Sequence, residues 1–101
     1  METESNIKYP IFNTVDELCE YLKAQGHEET VFFENPSFVK AITGITDSEQ
    51  LIYDYDLMIE AAMEEEGWTA EESIEWIEYN TIRSIPYMGQ HHPIVSLPIN
   101  W

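Results

Sequence analysis

The feature that most constrains this chain is the stretch from Ala41 to Ile82, which contains twelve acidic residues and not one Lys or Arg. Like charges four residues apart destabilise a helix, whereas interspersed lysines would stabilise it. The whole chain has 20 Asp and Glu against four Lys and Arg, a formal net charge of −16. This charge opposes folding through self-repulsion, disfavours nucleic acid and anionic membranes as direct partners, and favours a basic partner.

The length of 101 residues suits a single domain over residues 1–101. Hydrophobic residues make up 44% of the chain, which is enough for one compact core and argues against disorder. The single cysteine, Cys19, cannot form an internal disulfide, and we expect it to be a small apolar residue on a helix face in a reducing cytoplasm. No apolar run approaches the ~18 residues of a membrane span, and residues 1–8 do not resemble a secretion signal. We therefore expect a cytoplasmic protein with no membrane partner.

Capping motifs predict three helices. Thr14 and Glu17 form a capping box that opens a helix over 15–25. Asp54 is the predicted N-cap of a second helix. Thr69 and Glu72 form another capping box, and the third helix should end before proline 86 because the residue before a proline avoids helical geometry. The apolar faces predicted from helical spacing are Val15, Leu18, Cys19 and Leu22, then Tyr55, Met58, Ile59, Ala62 and Met63, then Ala70, Ile74, Ile77 and Thr81.

Strand signals fall between and after these helices. Residues 38–45 and 51–53 are rich in β-branched and aromatic residues and are separated by a turn, which predicts a β-hairpin with a bulge at Gly44. Residues 94–99 could form a last strand, which Pro98 would place at an edge. The order α-β-β-α-α-β predicts an α+β fold in which about three helices pack on a small antiparallel sheet.

The acidic residues of the second and third helices are the first candidate site. Carboxylates spaced about four residues apart lie ~6 Å apart along a helix axis, a spacing similar in scale to that of successive phosphates on a nucleic-acid strand. A row of such groups could occupy a channel lined with Lys and Arg. The residues concerned are Asp56, Glu60, Glu64, Glu71, Glu75 and Glu78. The alternatives are a charged face that serves only solubility, or a metal site.

Metal binding and catalysis have weak signals. Asp54 and Asp56 could attract a divalent cation, but the EF-hand pattern is absent and Asp54 is better explained as a helix cap. His91 and His92 have no ligand at metal-binding spacing, which favours an ordinary surface loop. The chain contains no phosphate-binding loop, nucleophile elbow or zinc-protease helix. We expect no enzyme activity, no cofactor and no bound metal.

An aromatic segment near the C-terminus is the second candidate site. Trp76, Tyr79, Tyr87 and Trp101 could form a binding patch, because aromatic residues and Arg are enriched at interface hot spots. The alternative is that they belong to the core and to the helix end. Arg83 is expected to pair with Glu78, Tyr79 or Asp54, or to donate to carbonyl groups at the helix end.

Residues 53–58 (YDYDLM), 74–89 (IEWIEYNTIRSIPYMG) and 93–95 (PIV) resemble a family of small, acidic, uncharacterised bacterial proteins carried on phages and other mobile elements. The resemblance covers roughly residues 38–96 and implies no established activity or catalytic residue. It does imply a context, since small acidic mobile-element proteins often inhibit host defence or DNA-handling enzymes, as anti-CRISPR proteins do.

Three functions follow as hypotheses. The leading one is a nucleic-acid mimic in which the acidic residues occupy the basic channel of a host protein, with Trp76 and Tyr79 as anchors. The second is a structural or regulatory adaptor that binds through the aromatic patch while the acids maintain solubility. The third is a hydrolase or metal-dependent enzyme.

Overall fold

The computed structural model of the protein describes residues 10–99. Its elements are helix α1 (Val15–Ala24), a first 3-10 helix (Pro36–Ala41), strands β1 (Ile42–Ile45) and β2 (Leu51–Asp54), helices α2 (Tyr55–Glu66) and α3 (Ala70–Trp76), a π-helical turn (Ile77–Thr81), a second 3-10 helix (Ile82–Tyr87) and strand β3 (Ile94–Ser96). The predicted α+β class is confirmed. No helix of this part of the chain is long and apolar enough to cross a membrane.

Side-chain caps open all three α-helices at the predicted residues. The Thr14 hydroxyl accepts the backbone N–H of Glu17 at 3.1 Å, and the Asp54 carboxylate accepts a backbone N–H of the first turn of α2 at 2.9 Å. At Thr69 and Glu72 both bonds of the capping box form, at 2.9 and 3.1 Å. Each bond satisfies an N–H group that the helix itself leaves unpaired. The helix starts are therefore fixed locally.

The prediction of a strand over 38–45 is wrong for its first half, residues 38–41. The side chain of Asn35 accepts the backbone N–H of Ser37 at 3.0 Å, and Pro36 occupies the first helical position with its φ already suited to a helix. The chain therefore coils into the first 3-10 helix, which buries Phe38 completely. Strand β1 begins only at Ile42.

The three strands form a mixed sheet in the order β1-β2-β3. Strands β1 and β2 make the predicted antiparallel hairpin, and the register shifts between Ile42 and Gly44, which confirms the bulge. Strand β3 pairs with β2 in parallel, with Tyr53 opposite Val95, where the sequence had predicted an antiparallel sheet. Parallel neighbours need a long crossover connection, and the helical segments over 55–87 provide it.

The core lies between the sheet and the helices. At its centre the Tyr53 ring is 4.6 Å from that of Phe33, and the Tyr53 hydroxyl accepts the Phe33 backbone N–H at 3.2 Å. Burial raises the pKa of Tyr53 well above its ordinary value. Helices α1 and α2 both pack against the first 3-10 helix. That helix therefore takes the place in the core that the sequence had assigned to a strand.

The predicted faces of α1 and α2 are partly confirmed. In α1, Leu18 and Leu22 are buried and Val15 is half-buried, but Cys19 is exposed. In α2, Met63 is 40% exposed and the adjacent Ala61 is buried instead. The remaining predicted residues of α2 are buried or half-buried, namely Tyr55, Met58, Ile59 and Ala62. The buried stripe of α1 is therefore narrower than the apolar spacing predicted, and the buried stripe of α2 is shifted from Met63 towards Ala61.

The predicted face of the third helix needs correction. Ile77 and Thr81 are buried as expected, but Ile74 is 39% exposed and Ala70 is exposed, while Ser73 is completely buried. Ser73 can be buried because its hydroxyl donates to a backbone carbonyl at 2.9 Å. The α-helical part ends at Trp76, but the helical run does not end before proline 86 as predicted. It widens into the π-helical turn and continues as the second 3-10 helix, which contains that proline.

Candidate functional site

The first row of predicted carboxylates lies on α2. Asp56, Glu60 and Glu64 are all exposed to solvent. Glu60 and Glu64 line a shallow groove of about 230 Å³ together with Leu57 and Lys40. This row therefore borders one cation and a patch of apolar surface.

Lys40, at the edge of this row, is held by α2 itself. Its ammonium group forms an ion pair with Glu65. The hydrogen bond to Glu65 raises the pKa of Lys40, the partial loss of hydration opposes this, and the charges of Glu65 and Glu64 raise it further. The ion pair neutralises Glu65 and leaves Glu60 and Glu64 as carboxylates that a partner can reach.

The second row lies on α3 and the π-helical turn. Glu71, Glu75 and Glu78 are exposed and line a groove of about 410 Å³. Arg83 and Tyr79 line the same groove, and the guanidinium carbon of Arg83 lies 4.8 Å from the centre of the Tyr79 ring. Of the partners predicted for Arg83, the structure shows Tyr79, through a cation–π contact.

Glu78 differs from the other five predicted carboxylates because it also has a structural role. Its Oε2 atom accepts the Tyr55 hydroxyl at 2.8 Å. Burial, the hydrogen bond to Glu78 and the charges of Glu78 and Asp56 together raise the pKa of Tyr55 to about 12. The structure therefore brings Glu78, at the end of the second row, to the Tyr55 hydroxyl at the start of α2.

The remaining carboxylates stay in two separate rows on neighbouring helices. Helices α2 and α3 pack against each other across a short connection at Gly67, whose φ of 74° is readily available only to glycine. Glu60 and Glu64 line one groove, and Glu71 and Glu75 line another. The sequence could not determine this arrangement, since helical spacing does not fix how two helices are oriented.

The aromatic residues of the second candidate site are exposed. Trp76 is 41%, Tyr79 58% and Tyr87 89% exposed. Trp101 lies outside the described residues. Trp68, which the sequence analysis missed, packs on Trp76 with ring centres 5.3 Å apart and planes inclined by 44°. Trp68 lies between Gly67, which ends α2, and the capping box at Thr69, and this position in the sequence indicates only a loop.

These aromatics border two further grooves, and Trp68 and Trp76 line both of them. The larger has a volume of about 700 Å³ and is lined by Trp68, Trp76, Phe33, Tyr87 and other residues. The smaller, of about 490 Å³, also contains Trp68 and Trp76 and adds Tyr79. The aromatic and acidic residues therefore share one surface around α3.

His91 lies beside the turn of the β1–β2 hairpin. His91 Nδ1 lies 2.9 Å from the Ser48 carbonyl oxygen, and its Nε2 lies 3.6 Å from a carboxylate oxygen of Glu29. These contacts tie the loop before β3 to the hairpin turn. Within residues 10–99, no group of three or more His, Cys, Asp or Glu side chains could hold a metal ion.

The sequence matches no protein-family model, and comparison with curated proteins and with solved structures finds no similar protein. The likeness to mobile-element proteins therefore stays a hypothesis, and the surface of the protein is the basis for its proposed function.

Proposed function

We propose that the protein is an acidic inhibitor that binds a basic host protein and occupies its nucleic-acid-binding channel. The observation that carries this proposal is the exposure of Asp56, Glu60, Glu64, Glu71, Glu75 and Glu78 on two adjacent helices. Carboxylates four residues apart on a helix are separated by ~6 Å along its axis, which suits a channel of Lys and Arg side chains.

Not all six carboxylates contribute equally in this proposal. Glu78 uses one oxygen for Tyr55, and Asp56 and Glu71 lie in the first turns of α2 and α3, where a negative charge interacts favourably with the helix dipole. Glu60, Glu64 and Glu75 have neither role. These three therefore carry the mimicry, and replacing them should perturb the fold least.

The test uses the triple variant Glu60→Lys, Glu64→Lys and Glu75→Lys. A matched control reverses Glu20, Glu28 and Asp47, which are exposed on α1, after α1 and in the hairpin turn, and changes the net charge equally. Partners are captured from host lysate, eluted with rising salt and identified by mass spectrometry. Displacement of DNA or RNA from the purified partner is then measured.

We expect the wild-type protein and the control to displace the nucleic acid, and the triple variant to lose this activity together with most of the salt dependence of binding. Equal weakening by both variants would show that only overall charge matters. Unchanged binding by the triple variant would refute the mimicry.

A second candidate function is an adaptor that binds through the aromatic patch. The exposure of Trp76, Tyr79 and Tyr87 along a single helical run favours it, because large exposed aromatics often mark interfaces. In this case Trp76→Ala would abolish partner binding while the triple charge reversal would leave it intact.

A further inference from the structure

The groove of about 700 Å³ has a mostly apolar wall and floor. Its opening lies between residues 33–36, the end of α2 and the run from α3 to residue 88. Phe33, which is only 4% exposed, lies at the bottom, and Trp68 and Trp76 form an aromatic corner. Tyr87, which is 89% exposed, lies at its edge. A volume of this size lies within the range of ligand sites.

The polar groups around the groove are anionic or neutral. Glu34 and Glu66 line it, and it has no Lys, Arg or His among its lining residues in the described part of the chain. The Glu66 carboxylate is held in place by the Ser37 hydroxyl, which donates to it at 2.8 Å. Two exposed carboxylates beside a pair of indoles in contact favour a cation over a neutral or anionic occupant.

The smaller groove extends this surface past Trp76. Glu72 and Glu75 line it beside the exposed Tyr79 ring, and Asn80 belongs to both grooves. The two grooves share Trp68, Trp76 and Asn80, so together they form one continuous strip of aromatic and acidic side chains. Such a strip suits an extended segment of several residues better than a compact small molecule, and the Asn80 amide can bond to its backbone.

We infer that this strip, centred on Trp76, is a docking site for a short segment of a partner protein that alternates arginine with apolar side chains. The arginine stacks on the Trp68–Trp76 corner and pairs with Glu34 or Glu66, since a planar guanidinium binds aromatic faces and carboxylates at once. The apolar side chains cover Phe33. The inference rests on the proposal that the protein binds a basic partner, and it names the segment by which that partner is held.

The test uses defined peptides. A capped peptide of alternating Arg and Leu is titrated into the 15N-labelled protein, and a peptide with Gln in place of every Arg is the control. The indole N–H signals of Trp68 and Trp76 should shift saturably with the Arg peptide, and the Gln peptide should bind at least on the order of tenfold more weakly.

Matched variants place the binding in the groove. Trp76→Ala should weaken the Arg peptide by on the order of tenfold or more, whereas Tyr21→Ala, at a comparably exposed aromatic residue of α1, should not. Glu34→Gln should weaken binding, and Glu20→Gln on α1 should not. A native-like spectrum of each variant confirms that it is folded.

Several outcomes would overturn the inference. Equal affinity for the Arg and Gln peptides would mean an apolar site, and insensitivity to Trp76→Ala would mean diffuse attraction to the acidic surface. Indole shifts that depend on protein concentration without peptide would assign the groove to a second copy of this chain. The failure of this inference is told apart from the failure of the proposed function by repeating the nucleic-acid displacement assay with the double variant Glu60→Lys and Glu64→Lys. These two positions lie outside both grooves, whereas Glu75 of the triple variant lines the smaller one.

Discussion

The phenolic oxygen of Tyr55 lies 2.8 Å from Oε2 of Glu78 and joins the first residue of α2 to the π-helical turn. Tyr55 is only 2% exposed whereas Glu78 is exposed, so this hydrogen bond forms at the boundary between core and solvent. The neutral Tyr55 hydroxyl therefore holds Glu78, which is one end of the second acidic row. The hydrogen bond orients the Glu78 carboxylate without neutralising its charge.

Replacing Tyr55 by Phe should therefore destabilise the protein. The substitution retains the buried ring and removes only the donor, so we expect the free energy of unfolding to fall by about 1 kcal/mol. Denaturation in urea measures this change. Tyr87→Phe is the control, because Tyr87 is 89% exposed and should unfold at the wild-type concentration of urea. The same loss in both variants would contradict a specific role for the bond.

Alkaline pH should destabilise the protein through the same hydroxyl. The pKa of Tyr55 is raised from 10.0 to about 12 in the folded protein. When folding raises the pKa of a group, the group stabilises the folded protein fully at a pH below its pKa in the unfolded chain. This contribution to stability is lost as the pH rises through its pKa in the folded protein. The melting temperature should therefore fall between about pH 10 and about pH 12.

Thermal melts followed by circular dichroism would measure this dependence, with tyrosine absorbance recorded in parallel. Tyr53 should contribute to it as well, since burial raises its pKa too. Tyr55→Phe should melt with a shallower dependence on pH than the wild type over this interval. An identical slope in the two proteins would show that Tyr55 does not titrate as the structure requires.

The capping box that opens α3 offers a separate test of how this surface is supported. Thr69→Ala removes the hydroxyl that accepts the Glu72 backbone N–H, and we expect a loss of about 1 kcal/mol in the free energy of unfolding. Thr69→Ser keeps the hydroxyl and should be close to wild type. If both variants unfold alike, the cap contributes nothing measurable.

The features of the fold that could be predicted were local ones. The caps at Thr14, Asp54 and Thr69 work through neighbouring backbone atoms, so their sequence signals were sufficient. Whether β3 runs parallel or antiparallel to β2 depends on the crossover through residues 55–87, and no local sequence signal indicates it. Asn35 and Pro36 are a local helix-opening signal, and in the structure this signal prevails over the β-forming residues that follow it.

The candidate site shows the same division. The exposure of the acidic residues followed from their charge, whereas the contact between Trp68 and Trp76 joins a loop to a helix and depends on how the chain folds back. The bond from Tyr55 to Glu78 spans 23 residues and was likewise not foreseeable from helical spacing. Contacts between side chains across the fold, more than exposure, are what the sequence leaves undetermined.

The corrected face of the third helix gives the sharpest test of the structure, because two isoleucines that were both predicted to be buried differ in their exposure. Ile77 is completely buried and Ile74 is 39% exposed, although the sequence placed both on the inner face. Ile77→Ala should lower the free energy of unfolding by about 2–5 kcal/mol, since it leaves a cavity in the core. Ile74→Ala should cost less than about 1 kcal/mol, partly because Ala has the higher helix propensity. Urea denaturation distinguishes the two cases, and comparable losses at the two positions would mean that Ser73 does not replace Ile74 on the buried face.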